Sequence, residues 1–267
     1  MIGNMERTFD ELVAEADAVD VSGWDFSWLD GRATEQRPSW GYQRLLRERL
    51  AHVQSALDLY TGGGEVLAGA QPFPPTMVAT EPWPPNINPA TQLLHPLGAV
   101  LVATSEEPPL PFGDNAFDLV TSRHPSHVWW DEFARVLKPG GVYFAQHVGI
   151  IYLRTLREYF LGPQPKDRRI RGQLNVDTVG QEVADAGLEL LDLRHEEIKE
   201  EFFDIGAVVY FLRKLSWVVP DFSVTKYHDK LRTLHDQIQS EGSFITHSSR
   251  LLVEARKPAV NAHQQET

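Results

Sequence analysis

Ala56-Leu57-Asp58-Leu59-Tyr60-Thr61-Gly62-Gly63-Gly64-Glu65-Val66-Leu67 is the stretch on which the fold turns. A short apolar strand ends in a run of glycines, and the chain passes straight into a helical pattern. Glycine lacks a Cβ, so a ligand can approach the backbone of such a turn closely. A nucleotide-sized pocket at the end of this strand is the expectation. Glu81 lies 23 residues after Asp58, at the end of the next apolar run. That is near the ~20-residue spacing at which an acidic side chain meets ribose hydroxyls. Together they point to a ribose-bearing ligand and require no bound phosphate.

Working outward, residues 77–80, 99–102, 117–120 and 142–145 are further short apolar runs separated by turn clusters and helical patterns. This alternation is the signature of βα units around a parallel sheet. Asn88-Pro89 reads as a helix cap followed by proline at the first helical position, which makes the second crossover a helix. On the N-terminal side, Phe9, Leu12, Val13 and Ala16 share a helical face. Ser39 is placed to cap a second helix reaching Leu50, and the aromatic stretch Trp24-Asp25-Phe26-Ser27-Trp28 lies between the two. On the C-terminal side, residues 177–186 predict a helix closed by Gly187, and residues 188–193 alternate as a strand. Asp204 is placed to cap a helix carrying Ile205, Val208, Val209, Leu212 and Leu215. Val224, Tyr227, Leu231, Leu234 and Ile238 form another helical face that ends at Gly242, before a last strand at residues 251–255.

The composition bounds what such a chain does. Its 267 residues are 42% hydrophobic and 23% charged, as in folded globular proteins. No run approaches the ~18 apolar residues of a membrane span, and the acidic first 20 residues do not resemble a secretion signal, so a cytoplasmic protein without membrane attachment is expected. There is no cysteine, which excludes disulfides, zinc-thiolate and iron–sulfur sites and a cysteine nucleophile. No metal site is expected. The net charge of −12 repels polyanions, so nucleic acid is not expected as a partner. The one basic cluster, Lys166-Asp167-Arg168-Arg169-Ile170-Arg171, reads as a solvated loop.

Two further segments give the pattern a name. Leu110-Pro111-Phe112-Gly113-Asp114-Asn115-Ala116-Phe117-Asp118-Leu119-Val120 and Arg135-Val136-Leu137-Lys138-Pro139-Gly140-Gly141-Val142 follow the glycine loop and Glu81 in the order and spacing of class I S-adenosylmethionine-dependent methyltransferases. The chain resembles that family over about residues 57–148. The resemblance implies an α/β, Rossmann-like three-layer sandwich with a mostly parallel seven-stranded sheet and an antiparallel last strand. An N-terminal helical, aromatic lid (1–54) would precede a methyltransferase domain (55–257) with a helical insert at about 200–242. Residues 258–267 are expected to be a disordered tail.

Carried over residue by residue, the resemblance places Asp58 at the amino-acid portion of S-adenosylmethionine, with Gly62 and Gly64 forming the backbone cradle and Tyr60 and Thr61 as further cofactor-binding residues. It places Glu81 on both ribose hydroxyls, Trp83 on adenine, and Glu106 near the exocyclic amine. Residues 121–124 would line the place where methyl donor and acceptor meet. The family usually has glycine where this chain has Tyr60, so the tyrosine either turns away into the lid or alters the pocket. His124 is the first candidate for a general base; His127 and His147, which follow the fourth and fifth strands, are further base candidates and are expected to bind the acceptor. Trp24, Phe26, Trp28, Trp40 and Tyr42, with Trp129 and Trp130, read as an apolar cover for a flat or hydrophobic acceptor, and Tyr210 as a further acceptor contact. Thr121-Ser122-Arg123-His124 stands where adenine amino-methylating relatives carry an Asn/Asp-Pro-Pro-aromatic tetrapeptide, which argues against that chemistry. The whole-chain pattern resembles a bacterial subgroup whose acceptors are mostly unassigned. The expected function is methyl transfer to a small molecule by a monomer or homodimer. The alternatives are an rRNA or tRNA methyltransferase and a degenerate cofactor-binding module without catalysis.

Overall fold

The computed structural model describes residues 7–165 and 169–259. Lys166 and Arg168 of the basic cluster, residues 1–6 of the expected lid and most of the expected tail therefore lie outside the described residues. Eight strands form one sheet: β1 (Ala33–Glu35), β2 (Ser55–Leu59), β3 (Thr76–Glu81), β4 (Ala99–Ala103), β5 (Phe117–Arg123), β6 (Leu137–Val148), β7 (Glu189–Phe202) and β8 (Phe244–Arg256), in the order β1-β7-β8-β6-β5-β2-β3-β4. The pairs β4–β3, β3–β2, β2–β5 and β5–β6 are parallel, and β8 runs antiparallel to β6. The expected seven strands are present. The additional β1 is only three residues long and pairs antiparallel with β7. The helices are α1 (Phe9–Ala18), α2 (Tyr42–Leu50), α3 (Glu65–Ala68), α4 (Pro84–Leu94), α5 (Trp130–Val136), α6 (Arg154–Leu161), α7 (Val179–Asp185), α8 (Ile205–Lys214) and α9 (His228–Glu241).

The chain divides into two compact units. The larger comprises Pro38–Ile150, Arg169–Glu196 and Ser249–Thr267 and contains the glycine loop. Its central strand β2 is buried along its whole length, as a parallel strand covered on both faces must be. Successive residues serve opposite cores: Ala56 packs with Leu46, Leu50, Met77, Leu94 and Phe144, whereas Leu57 and Leu59 pack with Val120, Phe133, Tyr143 and Val183. The smaller unit comprises Met1–Arg37, Ile151–Arg168 and Glu197–Ser248, with a core that includes Leu12, Ala16, Leu156, Val208, Leu212 and Leu234. Asp204 caps α8 as expected, accepting from the Ala207 N–H at 2.9 Å, and it also takes two hydrogen bonds from Arg32. The contact boundary near the N-terminus falls after Arg37, not at residue 54, because α2 packs in the larger unit's core.

Two helix starts differ from the sequence reading. The second crossover helix begins at Pro84, not at Pro89, which lies inside α4. Pro84 and Pro85 occupy first-turn positions, where a missing N–H costs nothing, so the proline pair is the real start signal. Ser39 does not cap α2. Its N–H (2.9 Å) and hydroxyl both bond the Glu196 carboxylate, and Gly41 at φ +64° turns the chain into the helix instead.

Candidate active site

The carboxyl ends of β2, β3 and β5 bring the expected cofactor residues together. Asp58 stands opposite Ala79 on β3 and Thr121 on β5, and Leu59 stands opposite Ser122. The strand order reverses around β2, because β3 follows it in sequence on one side while β5 lies on the other. Open α/β sheets bind ligands at such a switch point. The loop after β2 is pinned to β3 through the Thr61 N–H and the Thr80 carbonyl, 2.9 Å apart.

Glu81 is buried at the end of β3. Its Oε2 accepts from the Gly62 N–H at 2.7 Å and its Oε1 from the Trp83 N–H at 2.9 Å. One carboxylate thereby ties the glycine loop to the start of α4. Burial raises the Glu81 pKa against these backbone bonds and an Asn86 side-chain hydrogen bond. Each oxygen of a carboxylate has two acceptor sites, so this side chain keeps capacity beyond the two backbone donors. At Gly62 (φ +64°) a Cβ would meet no atom within 4 Å, leaving open space beside that backbone. Gly64 (φ +90°) is different. A Cβ there would press on the Leu94 side chain at 3.0 Å, so this glycine lets α3 pack close to α4. Trp83 is 38% exposed beside Glu81 in the chain.

Asp58 is buried and accepts from both the Thr61 and Thr121 hydroxyls, the latter at 2.6 Å. Burial pushes its pKa up to about 6, against the pull of those two bonds. Tyr60 occupies the left-handed region at φ +55°, the backbone conformation that glycine favours. Its ring packs against the core that holds Leu57, Leu59 and Val120. The hydroxyl donates to the Glu106 carbonyl at 3.3 Å, and burial pushes its pKa up to about 12. The Trp129 indole N–H donates to the same carbonyl at 3.1 Å. The Glu106 carboxylate lies 3.7 Å from Arg171.

The histidines separate. His124, half-buried just after β5, has Nε2 at 2.9 Å from the Gln146 amide nitrogen, and the Gln146 oxygen accepts from Trp40 Nε1–H at 2.8 Å. Burial, assisted by Arg123, Arg250 and His147, holds the His124 pKa well below its ordinary value. His127 is half-buried and stacks on Trp129, with its Nδ1 buried and unpartnered. His147 was expected in a loop, but β6 runs on to Val148 and carries it inward on the Tyr143 face. It is fully buried, 2.9 Å from the Tyr143 hydroxyl, and burial pushes its pKa down to about 3. An imidazole so enclosed is a packing residue, not a substrate contact.

The expected aromatic cover divides between the two units. Trp40, Tyr42, Trp129 and Trp130 belong to the larger, where Tyr42 stacks on Phe144 and donates to the Ser122 carbonyl, and Trp130 packs on Phe133 and Tyr143. Trp24, Phe26 and Trp28 belong to the smaller. There Tyr210 is buried, stacked on Trp28 and donating to the Asp25 carbonyl at 3.0 Å, so it anchors the 24–28 segment and is not open to an acceptor. Phe26 packs edge-on against Trp24 and lies under the Lys214 ammonium. Trp24 is 51% exposed. The sequence reading missed Gln146 and Trp40 as partners of His124. A polar residue interrupting an otherwise apolar strand was the available signal for Gln146.

Comparison with known proteins agrees with this geometry. Residues 57–145 match the family described as "Methyltransferase domain". A 38-residue segment is 55% identical to the uncharacterized protein YafE of Escherichia coli K12, a match spanning 18% of that protein. The fold resembles a proposed methyltransferase from Bacillus halodurans C-125 (TM-score 0.57, 19% identity, 81% of this chain and 99% of that one). It also resembles the [4+2]-cyclase SpnF (TM-score 0.54, 16% identity, 95% and 98%) and an S-adenosylmethionine-dependent methyltransferase from Mesorhizobium loti (TM-score 0.51, 14% identity, 81% and 96%). The residues present suit such a cofactor: the open space at Gly62 adjoins a buried carboxylate with acceptor capacity left for a vicinal diol.

Proposed function

We propose that this chain, which carries a class I S-adenosylmethionine-dependent methyltransferase domain at residues 57–145, transfers the methyl group to a small-molecule acceptor. The observation that carries the reading is Glu81, anchored by two backbone N–H groups beside the open backbone of Gly62. When bound, S-adenosylmethionine supplies an electrophilic methyl group on a sulfonium. Glu81 accepts from the ribose hydroxyls, Trp83 offers its exposed ring to adenine, and Glu106 stands by the adenine amine. Asp58, with Thr61 and Gly62, holds the amino-acid end. In-line displacement then depends on close approach and exclusion of water, and Thr121, Ser122 and His124 at the end of β5 flank the place where it occurs.

The fold alone does not decide the reaction, since a cyclase shares it. Tyr60 is the argument for a degenerate module, but its backbone keeps a glycine-like path and its ring leaves toward Glu106, so the substitution is compatible with binding. A nucleic-acid acceptor is disfavoured by the net charge of −12 and by the engagement of Arg169 with Glu182 and Arg171 with Glu106. We assign acceptor choice to the segments flanking the shared core, residues 1–50 and 200–242, and expect a cytoplasmic monomer or homodimer. Among the described residues no helix is long and apolar enough to cross a membrane. The test is mass spectrometry of a metabolite extract incubated with the protein and isotopically labelled S-adenosylmethionine. A labelled low-molecular-weight product supports the reading, whereas label found only in RNA contradicts it.

A further inference from the structure

The imidazole expected to act as a base is held in a hydrogen-bonding pattern that suits the opposite role. An indole N–H can only donate, so the Gln146 atom 2.8 Å from Trp40 Nε1 must be the amide oxygen. The amide's other end is then its NH2 group, which sits 2.9 Å from His124 Nε2 and can only donate. His124 Nε2 therefore bears a lone pair, and a neutral ring keeps its proton on Nδ1. Both Trp40 and Gln146 are buried, and reversing the amide would set donor against donor in the interior.

The backbone supports the same clamp. The His124 N–H donates to the Gln146 carbonyl at 2.7 Å, so Gln146 grips the residue through both main chain and side chain. His124 sits at φ +56°, a conformation uncommon for residues with a Cβ. Burial keeps the ring neutral, and the groups acting on it, Arg123, Arg250 and His147, push the same way. No described residue bonds Nδ1. An N–H donor is thus carried by the residue that directly follows β5, the strand whose Thr121 bonds Asp58.

We propose that His124 is a neutral Nδ1–H donor to an oxygen of the methyl acceptor, set by Gln146 and Trp40 as positioning residues, and that the acceptor is an already ionised oxygen acid, a carboxylic acid or an acidic phenol. This rests on the small-molecule methyltransferase reading above. With Nε2 occupied and Nδ1 protonated, the ring has no lone pair to offer as a base. An acceptor requiring deprotonation by His124 is then excluded, whereas an oxyanion gains a hydrogen bond. In the transfer, an oxygen lone pair forms the new C–O bond as the S–CH3 bond breaks and its pair passes to sulfur. No proton leaves the acceptor, and His124 keeps its own.

The decisive measurement needs no acceptor: nitrogen-15 NMR of the histidine rings in the full-length protein, with His124 assigned by comparison with His124→Asn. The expected pattern is protonated Nδ1 and unprotonated Nε2 across pH 6–8, changed in Gln146→Glu or, should that variant not fold, in Trp40→Phe. A ring protonated at Nε2 overturns the proposal. The second arm offers aromatic carboxylates, acidic phenols and aromatic amines with labelled S-adenosylmethionine. The acids should take label and the amines should not. His124→Asn, whose amide N–H stands near the Nδ1 position, should retain at least a third of the turnover with an unchanged pH profile, and His124→Ala should lose at least tenfold. Label on amines alone, no label on any acid, or an Asn variant as inactive as the Ala variant overturns the proposal. Calorimetry with S-adenosylhomocysteine separates the two failures: if the wild-type protein does not bind it, the methyltransferase reading itself has failed.

Discussion

The loop after β2 and the segment at residues 24–28 both concentrate groups that bind small molecules, and they spend them differently. In the first, Glu81 and Gly62 hold the backbone in place while leaving acceptor capacity and open space. In the second, the polar tips and ring faces are largely consumed internally. Tyr210 donates to Asp25, Trp28 stacks on Tyr210 beneath Arg32, and Lys214 lies over Phe26. Enrichment in aromatics therefore marks packing here, and unspent hydrogen-bonding capacity is the better mark of a site.

This contrast can be broken at several points. The largest effect is expected at Tyr210→Ala, which removes a buried ring together with the anchor of the 24–28 segment and should cost ~3–5 kcal/mol of stability. Denaturant unfolding should show that loss while S-adenosylhomocysteine affinity in the folded variant stays within a few-fold. A large loss of affinity would mean that the aromatic segment belongs to the cofactor site.

Next comes Asp58→Asn. The folded pKa of about 6 lies above the unfolded value, so the folded state binds more protons between pH 4 and 6. Stability then falls as pH rises through that window. Removing the carboxyl should abolish this slope, as read by denaturant midpoints at several pH values. Equal pH dependence in the two proteins would refute the assignment.

Tyr60→Phe deletes the bond to the Glu106 carbonyl and should cost ~1 kcal/mol, with cofactor affinity changed less than threefold. A tenfold loss would make the hydroxyl a cofactor contact. The smallest effect is expected at Trp24→Ala. This side chain is half exposed, so thermal unfolding should shift by no more than about 2 °C.

Much of this is legible in the sequence. The glycine loop, the positions of the seven strands and the Asp204 cap follow from short apolar runs, backbone freedom and side-chain capping, all local in the chain. What was not legible depended on partners distant in sequence. β1 is three residues without an apolar alternation, and its strand character comes from pairing with β7. Ser39 looks like a cap until Glu196, 157 residues away, claims both its donors. His147 reads as a loop residue if the apolar run ends at Ala145. Continued to Val148, strand alternation places His147 with Tyr143 and Gln146 with Phe144. The role of His124 could not be read at all from its own position, since its tautomer is set by Trp40 through Gln146.

Calorimetric titration of S-adenosylhomocysteine into wild type and Glu81→Ala tests the central claim most directly. The wild-type protein should bind one equivalent, and the folded variant should bind at least 100-fold more weakly, about 3 kcal/mol for lost hydrogen bonds to a charged group. Equal affinity in both, with folding confirmed by circular dichroism, would contradict the assignment of the ribose site to Glu81.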